Sequence, residues 1–219
     1  SVDQIVSGAL AGEFRLPNFQ RPFVWTDTEV LYLLDSLMRG YHVGTVFLWR
    51  RYRMPATVTS FGGVAVTCPA GESHLVIDGQ QRIGSIVRAF CSGRFSFHLL
   101  EGTFHVDTGE APWLVPLASL WDTIGVRSEG AVPLWDWAMA HAQRHGLKER
   151  EVRLLACSAV DPVVRGKVSA TYVDHHTTRA EVVESFRRMN TAGRPFDATE
   201  LSEAMKRAEE EGATDTGDR

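Results

Sequence analysis

The stretch HLVIDGQQRIGSIVRAF (His74–Phe90) decides the fold. Its first four residues form a short apolar run that is typical of a buried strand, and the run stops abruptly at Asp78 and Gly79. Apolar residues then recur at helical spacing up to the end of the stretch, which predicts a helix. The segment Asp78–Arg82 is therefore predicted to lie at a strand-to-helix junction.

The residues of this junction suit a bound phosphate. Backbone N–H groups at a helix start lack partners and attract anions, and Gly79 lets the backbone approach a ligand closely. Arg82 falls in the first helical turn, where a guanidinium can fork onto a phosphate, and Asp78 could hold a metal ion that neutralises phosphate oxygens. Gln80 and Gln81 could orient a water or hold a sugar. The alternative leaves Asp78 as a helix N-cap and both glutamines solvated, and the spacing alone does not decide between the two.

A second candidate is the loop FRLPNFQRPFVW (Phe14–Trp25), in which aromatic residues alternate with Arg and Gln. Prolines stiffen this loop, which stands directly before a predicted helix. Such a loop could stack on bases or contact phosphates. The alternative makes its aromatic residues part of the core and Arg21 a surface charge, and it is favoured if the loop is considered alone.

A third candidate is the helix end FRRMNTAGRP (Phe186–Pro195). Two arginines, an asparagine and a glycine turn can together clamp a phosphate or a sugar. The alternative is that Arg187 and Arg188 interact with the helix dipole while Gly193 forms a C-cap, and it too is favoured for the segment alone.

The rest of the chain predicts both helices and strands. Thr26 and Glu29 form a capping box for a helix that ends near Arg39. From Ala111 to Ala159, four tryptophans among helical patterns predict a helical insert. The other predicted elements are strands at Val43–Trp49 and Val168–Val173, hairpins at Thr57–Thr67 and Arg94–Val106, a helix at Arg179–Met189 and a last helix that ends near Ala208.

Charge, hydropathy and cysteine content limit the partners and sites that the protein can have. The 219 residues carry a formal net charge of −4, and the tail Glu209–Arg219 holds five acidic residues against one arginine. The remainder is therefore formally neutral, so any DNA contact must come from a local basic patch. No apolar run is long enough for a membrane span, and three scattered cysteines without a CxxC pair argue against a zinc site and suit a reducing cytoplasm. We expect a cytoplasmic protein without a membrane partner.

Other chemistries find little support in the sequence. His175 and His176 are adjacent, so they are expected to face different directions and to make a poor metal pair. The serines and cysteines lack an identifiable base, which disfavours nucleophilic catalysis. No P-loop or Rossmann pattern is present, and no metal constellation typical of a nuclease occurs.

The three motifs, in this order, resemble the amino-terminal domain of GmrSD-type modification-dependent restriction enzymes, the family also called DUF262. The similarity spreads over most of the chain but does not include the region Trp113–Asp161. The matching stretches are LPNFQRPFVW (Leu16–Trp25), LLDSLMRGYHVGTVFLW (Leu33–Trp49), VIDGQQRIGSI (Val76–Ile86) and FRRMNTAGRPFDATEL (Phe186–Leu201).

The resemblance implies a fold and a domain organisation. The fold would be α+β of the ParB/sulfiredoxin type, with a mixed sheet, flanking helices and a helical insert at about residues 111–160. Residues 1–208 would form one domain, and residues 209–219 an acidic linker or tail.

The resemblance also implies a function. The domain would hydrolyse a nucleoside triphosphate, with GTP favoured and Mg²⁺ as the ion, and would sense modified DNA in phage defence. A closer resemblance to effectors of phosphorothioate-based defence makes a sulfur-modified backbone the candidate modification. An HNH-type nuclease domain beyond these residues would cut the DNA, and the resemblance leaves room for a homo-oligomer. The alternative is a non-catalytic reader of modified DNA that binds nucleotide without turnover.

The resemblance assigns residues to these roles. Asp78, Gln81 and Arg82 would be catalytic, with Asp78 also the metal ligand. The nucleotide would be bound by Gly79, Gln80, Arg188 and Asn190. The DNA-sensing residues would be Phe19, Gln20, Arg21, Pro22, Phe23 and Trp25.

The sequence departs from the family pattern at three places. Position 84 is Gly where relatives usually carry a small polar or β-branched residue, and position 23 is Phe rather than Tyr. The turn TAGRP (Thr191–Pro195) replaces the commoner TGGTP, which puts the geometry near Asn190 in question.

Overall fold

The computed structural model describes residues 1–17, 20–106, 113–121 and 134–190. The helices and strands in these ranges follow one another along the chain without an internal repeat. In chain order they are α1 (Val2–Leu10), β1 (Phe14–Arg15), α2 (Asp27–Met38), β2 (Thr45–Met54), β3 (Thr57–Phe61), β4 (Val64–Cys68), β5 (Gly71–Asp78), α3 (Gln80–Cys91), β6 (Ser96–His98), β7 (Thr103–His105), β8 (Leu114–Pro116), α4 (Leu117–Trp121), α5 (Leu134–His145), α6 (Glu149–Val164), β9 (Ser169–Val173) and α7 (Arg179–Asn190).

The central sheet has four strands in the order β1-β5-β2-β9. β5 is parallel to β1 and antiparallel to β2, while β2 is parallel to β9, so the sheet is mixed as predicted. Phe47 pairs with Asp78 and Arg50 pairs with His74, so the predicted junction lies at the end of the sheet where β2 begins. The α+β class is confirmed, and the ParB/sulfiredoxin likeness stays a prediction.

Helices cover both faces of this sheet because its central strands are apolar on both sides. On one face, Val46 and Leu48 of β2 pack with Ile83 of α3 in one buried cluster. On the other face, Phe47 of β2 packs with Phe186 of α7 in another. The helix that follows the junction is thereby fixed against β2, which pairs with the strand that precedes the junction.

The smaller sheets agree with the predicted hairpins. β3 pairs with β4 around the Gly62-Gly63 turn, and β6 pairs with β7 around Glu101-Gly102. The predicted helical insert contains α4, α5 and most of α6, but it also contains β8, which pairs with β6. The predicted last helix near Ala208 and the tail 209–219 lie outside the described residues.

Candidate functional site

The junction between β5 and α3 is built around Gly79. Its φ of +92° lies in the left-handed region, which favours glycine. Gly79 is the N-cap of α3, and within the described part of the chain no side chain caps this helix. By contrast, α2 is capped by the hydroxyl of Thr26. Asp78 therefore does not act as a cap, and the first amide groups of α3 have no capping side chain.

The Arg82 guanidinium fills a slot between two glycines. A Cβ added at Gly44 would lie 3.1 Å from its Cζ, and one added at Gly79 would lie 3.1 Å from its Nη1. Nη1 donates a hydrogen bond to the Thr45 carbonyl at 2.6 Å, and Nη2 lies 3.8 Å from Oδ2 of Asp78. The side chain of Arg82 is 22% exposed and that of Asp78 39%, so both can be reached from solvent.

Glutamine side chains join the loop before α2 to this junction. Nε2 of Gln20 donates to the carbonyls of Val76 and Ile77, at 3.1 and 3.0 Å, in the strand that leads to the junction. In return, Nε2 of Gln80 donates to the Arg21 carbonyl at 2.8 Å. The predicted DNA-sensing loop and the predicted nucleotide motif are thus one hydrogen-bonded unit.

Gln81 adds further hydrogen bonds between the loop and α3. We call the hydrogen bonds made by the side chains of Gln20, Gln80 and Gln81 the interlock. Oε1 of Gln81 accepts hydrogen bonds from the backbone N–H groups of Val24, at 3.0 Å, and Trp25, at 3.3 Å. Its Nε2 donates to the Pro22 carbonyl at 3.2 Å. The side chain is buried, so both ends of the amide are committed to the loop backbone. Gln81 holds the loop in position here, and its predicted catalytic role stays a prediction.

Phe23 anchors the same loop onto α3. A Cβ added at Gly84 would lie only 2.9 Å from Cδ2 of Phe23 and 3.0 Å from the backbone N of Gly62. The Arg88 guanidinium lies 6.0 Å from the centre of the Phe23 ring and donates to the Gly62 carbonyl at 3.1 Å. Two of the departures from the family pattern, Gly84 and Phe23, therefore meet in one contact.

Comparison with known proteins agrees with this arrangement of motifs. The profile of the family described as "GmrSD restriction endonuclease, N-terminal domain" matches residues 2–205. The chain belongs to this family. It is a GmrSD N-terminal domain, and so it belongs to a family of restriction-system proteins.

One curated relative is similar to part of this GmrSD N-terminal domain. It is the uncharacterized protein MJ0686 of Methanocaldococcus jannaschii, which is 33% identical over 101 residues. The alignment covers 42% of the chain and 17% of the relative, so the chain spans well under a quarter of that relative's length. Among the described helices of this GmrSD N-terminal domain, none is both long and apolar enough to cross a membrane.

The third predicted motif lies on α7. Nε of Arg188 is 2.6 Å from Oε1 of Glu184, which Arg187 also contacts at 2.8 Å. Hydrogen bonds from these two guanidinium groups lower the pKa of Glu184 to about 2. Arg188 also lines a shallow hollow of about 380 Å³ along the helix, together with Ala180, Glu181, Glu184 and Ser185. Its predicted contact with nucleotide stays a prediction.

Two residues predicted for the site cannot be placed. Phe19 and the side chain of Asn190 lie outside the described residues. The other predicted DNA-sensing residues, Gln20 to Phe23 and Trp25, lie in the loop that contacts the junction.

Two contributors to the site were missed from the sequence. Gly44 leaves room for the Arg82 guanidinium, and the Thr45 carbonyl accepts its hydrogen bond. A local signal for Gly44 did exist, because it lies inside the predicted strand Val43–Trp49, and a glycine inside a strand often marks a close approach of backbone to another group. Nothing in the local sequence pointed to the Thr45 carbonyl.

Gly84→Val is expected to destabilise the domain. The added atoms would overlap Phe23 and the Gly62 backbone, and overpacking of this kind costs about 1–3 kcal/mol of unfolding free energy. Urea unfolding of the variant and the wild type measures the loss. In a Phe23→Ala background the same change should cost less, because the ring is gone. An equal cost in both backgrounds would show that Phe23 does not define this contact.

Proposed function

We propose that this GmrSD N-terminal domain hydrolyses a nucleoside triphosphate at Asp78–Arg82 and senses modified DNA through the loop Gln20–Trp25. The observation that carries the proposal is the set of side-chain hydrogen bonds that joins the two segments. A sensor domain needs such a link, because DNA binding can alter turnover only by biasing a structure that both sites share.

The junction has groups that suit a bound nucleoside triphosphate and its metal ion. The uncapped amides of α3 and the Arg82 guanidinium suit phosphate oxygens. Mg²⁺ is commonly held by one or two carboxylates together with substrate phosphates and water, and the single, partly exposed Asp78 carboxylate fits that pattern. When bound, the ion would neutralise charge on the phosphate oxygens. Arg82 beside Asp78 would orient the phosphate chain, and GTP is the nucleotide we favour.

The loop has the chemistry for a modified backbone. Arg21, Pro22 and Val24 are exposed, while Phe23 and Trp25 are half-buried, so one guanidinium stands beside an apolar surface. A sulfur-substituted phosphate is softer and less strongly hydrated than an ordinary phosphate, so less hydration is lost when it is buried there. Ordinary DNA should bind weakly, because residues 1–208 are formally neutral and offer little counterion release.

The interlock would transmit the signal. Gln80 and Gln81 bond the loop backbone from the first turn of α3, and Arg82 is the next residue. A loop displaced by DNA would pull on the helix start that binds phosphate. An HNH-type nuclease domain outside these residues would then act on the DNA, and a homo-oligomer is compatible with this scheme.

Mg²⁺-dependent phosphate release by the purified domain tests the hydrolysis. We expect release from GTP in Mg²⁺, no release in excess EDTA, and a loss on the order of 10²–10³-fold in Asp78→Asn, the scale of one lost electrostatic contact at a transition state. The control is Asp35→Asn, which removes a surface ion pair with Arg39 on α2. Full activity in EDTA, or in a folded Asp78→Asn variant, would contradict the assignment.

The second candidate is a reader that binds nucleotide without turnover. The observation in its favour is that both ends of the Gln81 amide are committed to the loop backbone, so Gln81 is not free to orient an attacking water. Saturable nucleotide binding by calorimetry, without phosphate release in the presence or absence of modified DNA, would select this candidate.

A further inference from the structure

A cluster of three potential metal ligands lies in the turn between β9 and α7. One ligand atom from each of Asp174, His175 and His176 lies within 4.8 Å of the other two, the one such group found among the described residues. Val173 pairs with Trp49, which in turn pairs with Leu75, so the turn is level with about His74. That is roughly 13 Å along the strand direction from Asp78, at about 3.3 Å per residue, so the cluster is separate from the proposed nucleotide site.

The turn brings the two imidazoles to the same side. The His176 N–H donates to Oδ1 of Asp174 at 3.1 Å, and the Thr177 N–H donates to the Asp174 carbonyl at 3.1 Å. The centres of the two imidazole rings are 3.7 Å apart. The sequence-based expectation that these adjacent histidines face different directions is therefore wrong here, because it assumed a regular strand or helix, and the expectation that they make a poor metal pair rested on it.

One imidazole nitrogen of this cluster is buried and has a carboxylate oxygen as its close neighbour. Nδ1 of His175 is buried and makes no hydrogen bond of acceptable geometry, although Oδ1 of Asp174 lies 2.6 Å away. Ligand atoms around a tetrahedral ion with bonds of roughly 2.0–2.1 Å are about 3.3 Å apart, which lies within the 4.8 Å that bounds the spacings of the cluster. The Asp174 side chain is 55% exposed, so it can make the small movement required.

The surroundings of the cluster are compatible with a cation. Arg50 is a positive charge that acts on Asp174, and its Nε is itself 2.7 Å from Oε1 of Glu72. The Tyr52 ring packs edge-to-face on His175, with ring centres 4.6 Å apart, and restricts the imidazole. The positive charge of Arg50 is therefore offset by Glu72, and the His175 imidazole is held in place.

We propose that Asp174, His175 and His176 bind a borderline-soft divalent cation of the Zn²⁺ or Ni²⁺ class. Two imidazoles and one carboxylate suit these ions better than Mg²⁺, which prefers an all-oxygen set, and water would complete the coordination. The ion joins the end of β9 to the start of α7, where Thr178 and Glu181 form a capping box. The site is independent of the proposed nucleotide hydrolysis.

Calorimetric titration of the chain with Zn²⁺, in millimolar Mg²⁺, tests the site. We expect saturable 1:1 binding, with the affinity lowered at least about 10-fold in Asp174→Asn and in His176→Ala. Asparagine keeps the oxygen that accepts the His176 N–H, and His176 is exposed, so both variants should fold. The matched control is His98→Ala/His105→Ala, which removes another histidine pair, with ring centres 6.1 Å apart, beside Glu101.

Thermal unfolding gives a second readout. Zn²⁺ should raise the Tm of the wild type and of the His98/His105 control, because an ion that binds the folded state stabilises it, and should raise the Tm of the two cluster variants less at the same Zn²⁺ concentration. Absence of saturable binding to the wild type would overturn the proposal. So would wild-type affinity in either cluster variant, or a loss of binding in the control alone.

Discussion

Gln81→Ala is expected to remove the stimulation of nucleotide turnover by modified DNA. The substitution deletes the acceptor for the Val24 and Trp25 N–H groups and the donor to the Pro22 carbonyl. Backbone groups left without partners in a half-buried loop cost roughly 1–3 kcal/mol of unfolding free energy, and the loop loses its connection to α3. Phosphate release with and without modified DNA, together with urea unfolding, measures both effects.

Two further variants show whether the interlock is responsible. Gln81→Glu keeps an acceptor for Val24 and Trp25 but loses the bond to Pro22, so it should retain part of the stimulation. Gln143→Ala removes an exposed glutamine from α5 and should behave like the wild type. Wild-type stimulation in a folded Gln81→Ala variant would contradict the proposed coupling. A parallel loss of basal turnover would instead support the predicted catalytic role of Gln81.

Arg82→Ala is expected to weaken nucleotide binding by about 1.5–3 kcal/mol, or roughly 10- to 150-fold, the usual scale for a charge-assisted hydrogen bond. The reason is that the guanidinium lies beside Asp78 at the uncapped start of α3. Calorimetry with a non-hydrolysable nucleotide in Mg²⁺ measures the affinity. Arg82→Lys keeps the charge but cannot fork onto a phosphate, so an intermediate affinity is expected.

Gly44→Ala gives an independent test of the same slot. Its Cβ would approach the Arg82 guanidinium to 3.1 Å and would force a backbone φ of +87° on an alanine. We expect Arg82 to be displaced and the nucleotide affinity to fall, as in Arg82→Ala. If Arg82→Ala lowers the Tm but leaves the nucleotide affinity unchanged, then Arg82 only stabilises the fold through its hydrogen bond to the Thr45 carbonyl.

Elements with a local cause could be predicted from the sequence. The Thr26 and Glu29 capping box placed the start of α2 correctly, because a cap and its partner lie within one helical turn. The end of β5 at Asp78 followed from the abrupt stop of an apolar run. Register and length depend on partners distant in sequence, so β2 continues to Met54, five residues beyond the predicted end, because β5 pairs with it up to Gly71.

The first helix shows a local signal that was overlooked. Val2, Val6 and Ala9 are fully buried on one face of α1, and their spacing is helical. The elements predicted from the sequence begin only at Thr26, so this helix was missed although its pattern is local.

In the candidate site, too, only features with a local cause could be predicted from the sequence. Asp78, Gly79 and Arg82 could be grouped from the sequence because they lie within five residues. The partners of Gln20, Gln80 and Gln81 are 56 to 59 residues away, and no local pattern encodes them. The loop and the motif were consequently predicted as separate sites with separate roles, whereas the structure joins them through hydrogen bonds.

The most direct test of this account is the rate of phosphate release with matched phosphorothioated and unmodified duplexes. The wild type should respond to the modified duplex alone. Arg21→Ala, which removes an exposed guanidinium but leaves the carbonyl that Gln80 bonds, should lose the response and keep its basal rate. Gln20→Ala, which loses the hydrogen bonds to the Val76 and Ile77 carbonyls, should lower both the basal rate and the rate with the modified duplex. Equal wild-type rates with the two duplexes, or a response that survives in all variants, would contradict the account.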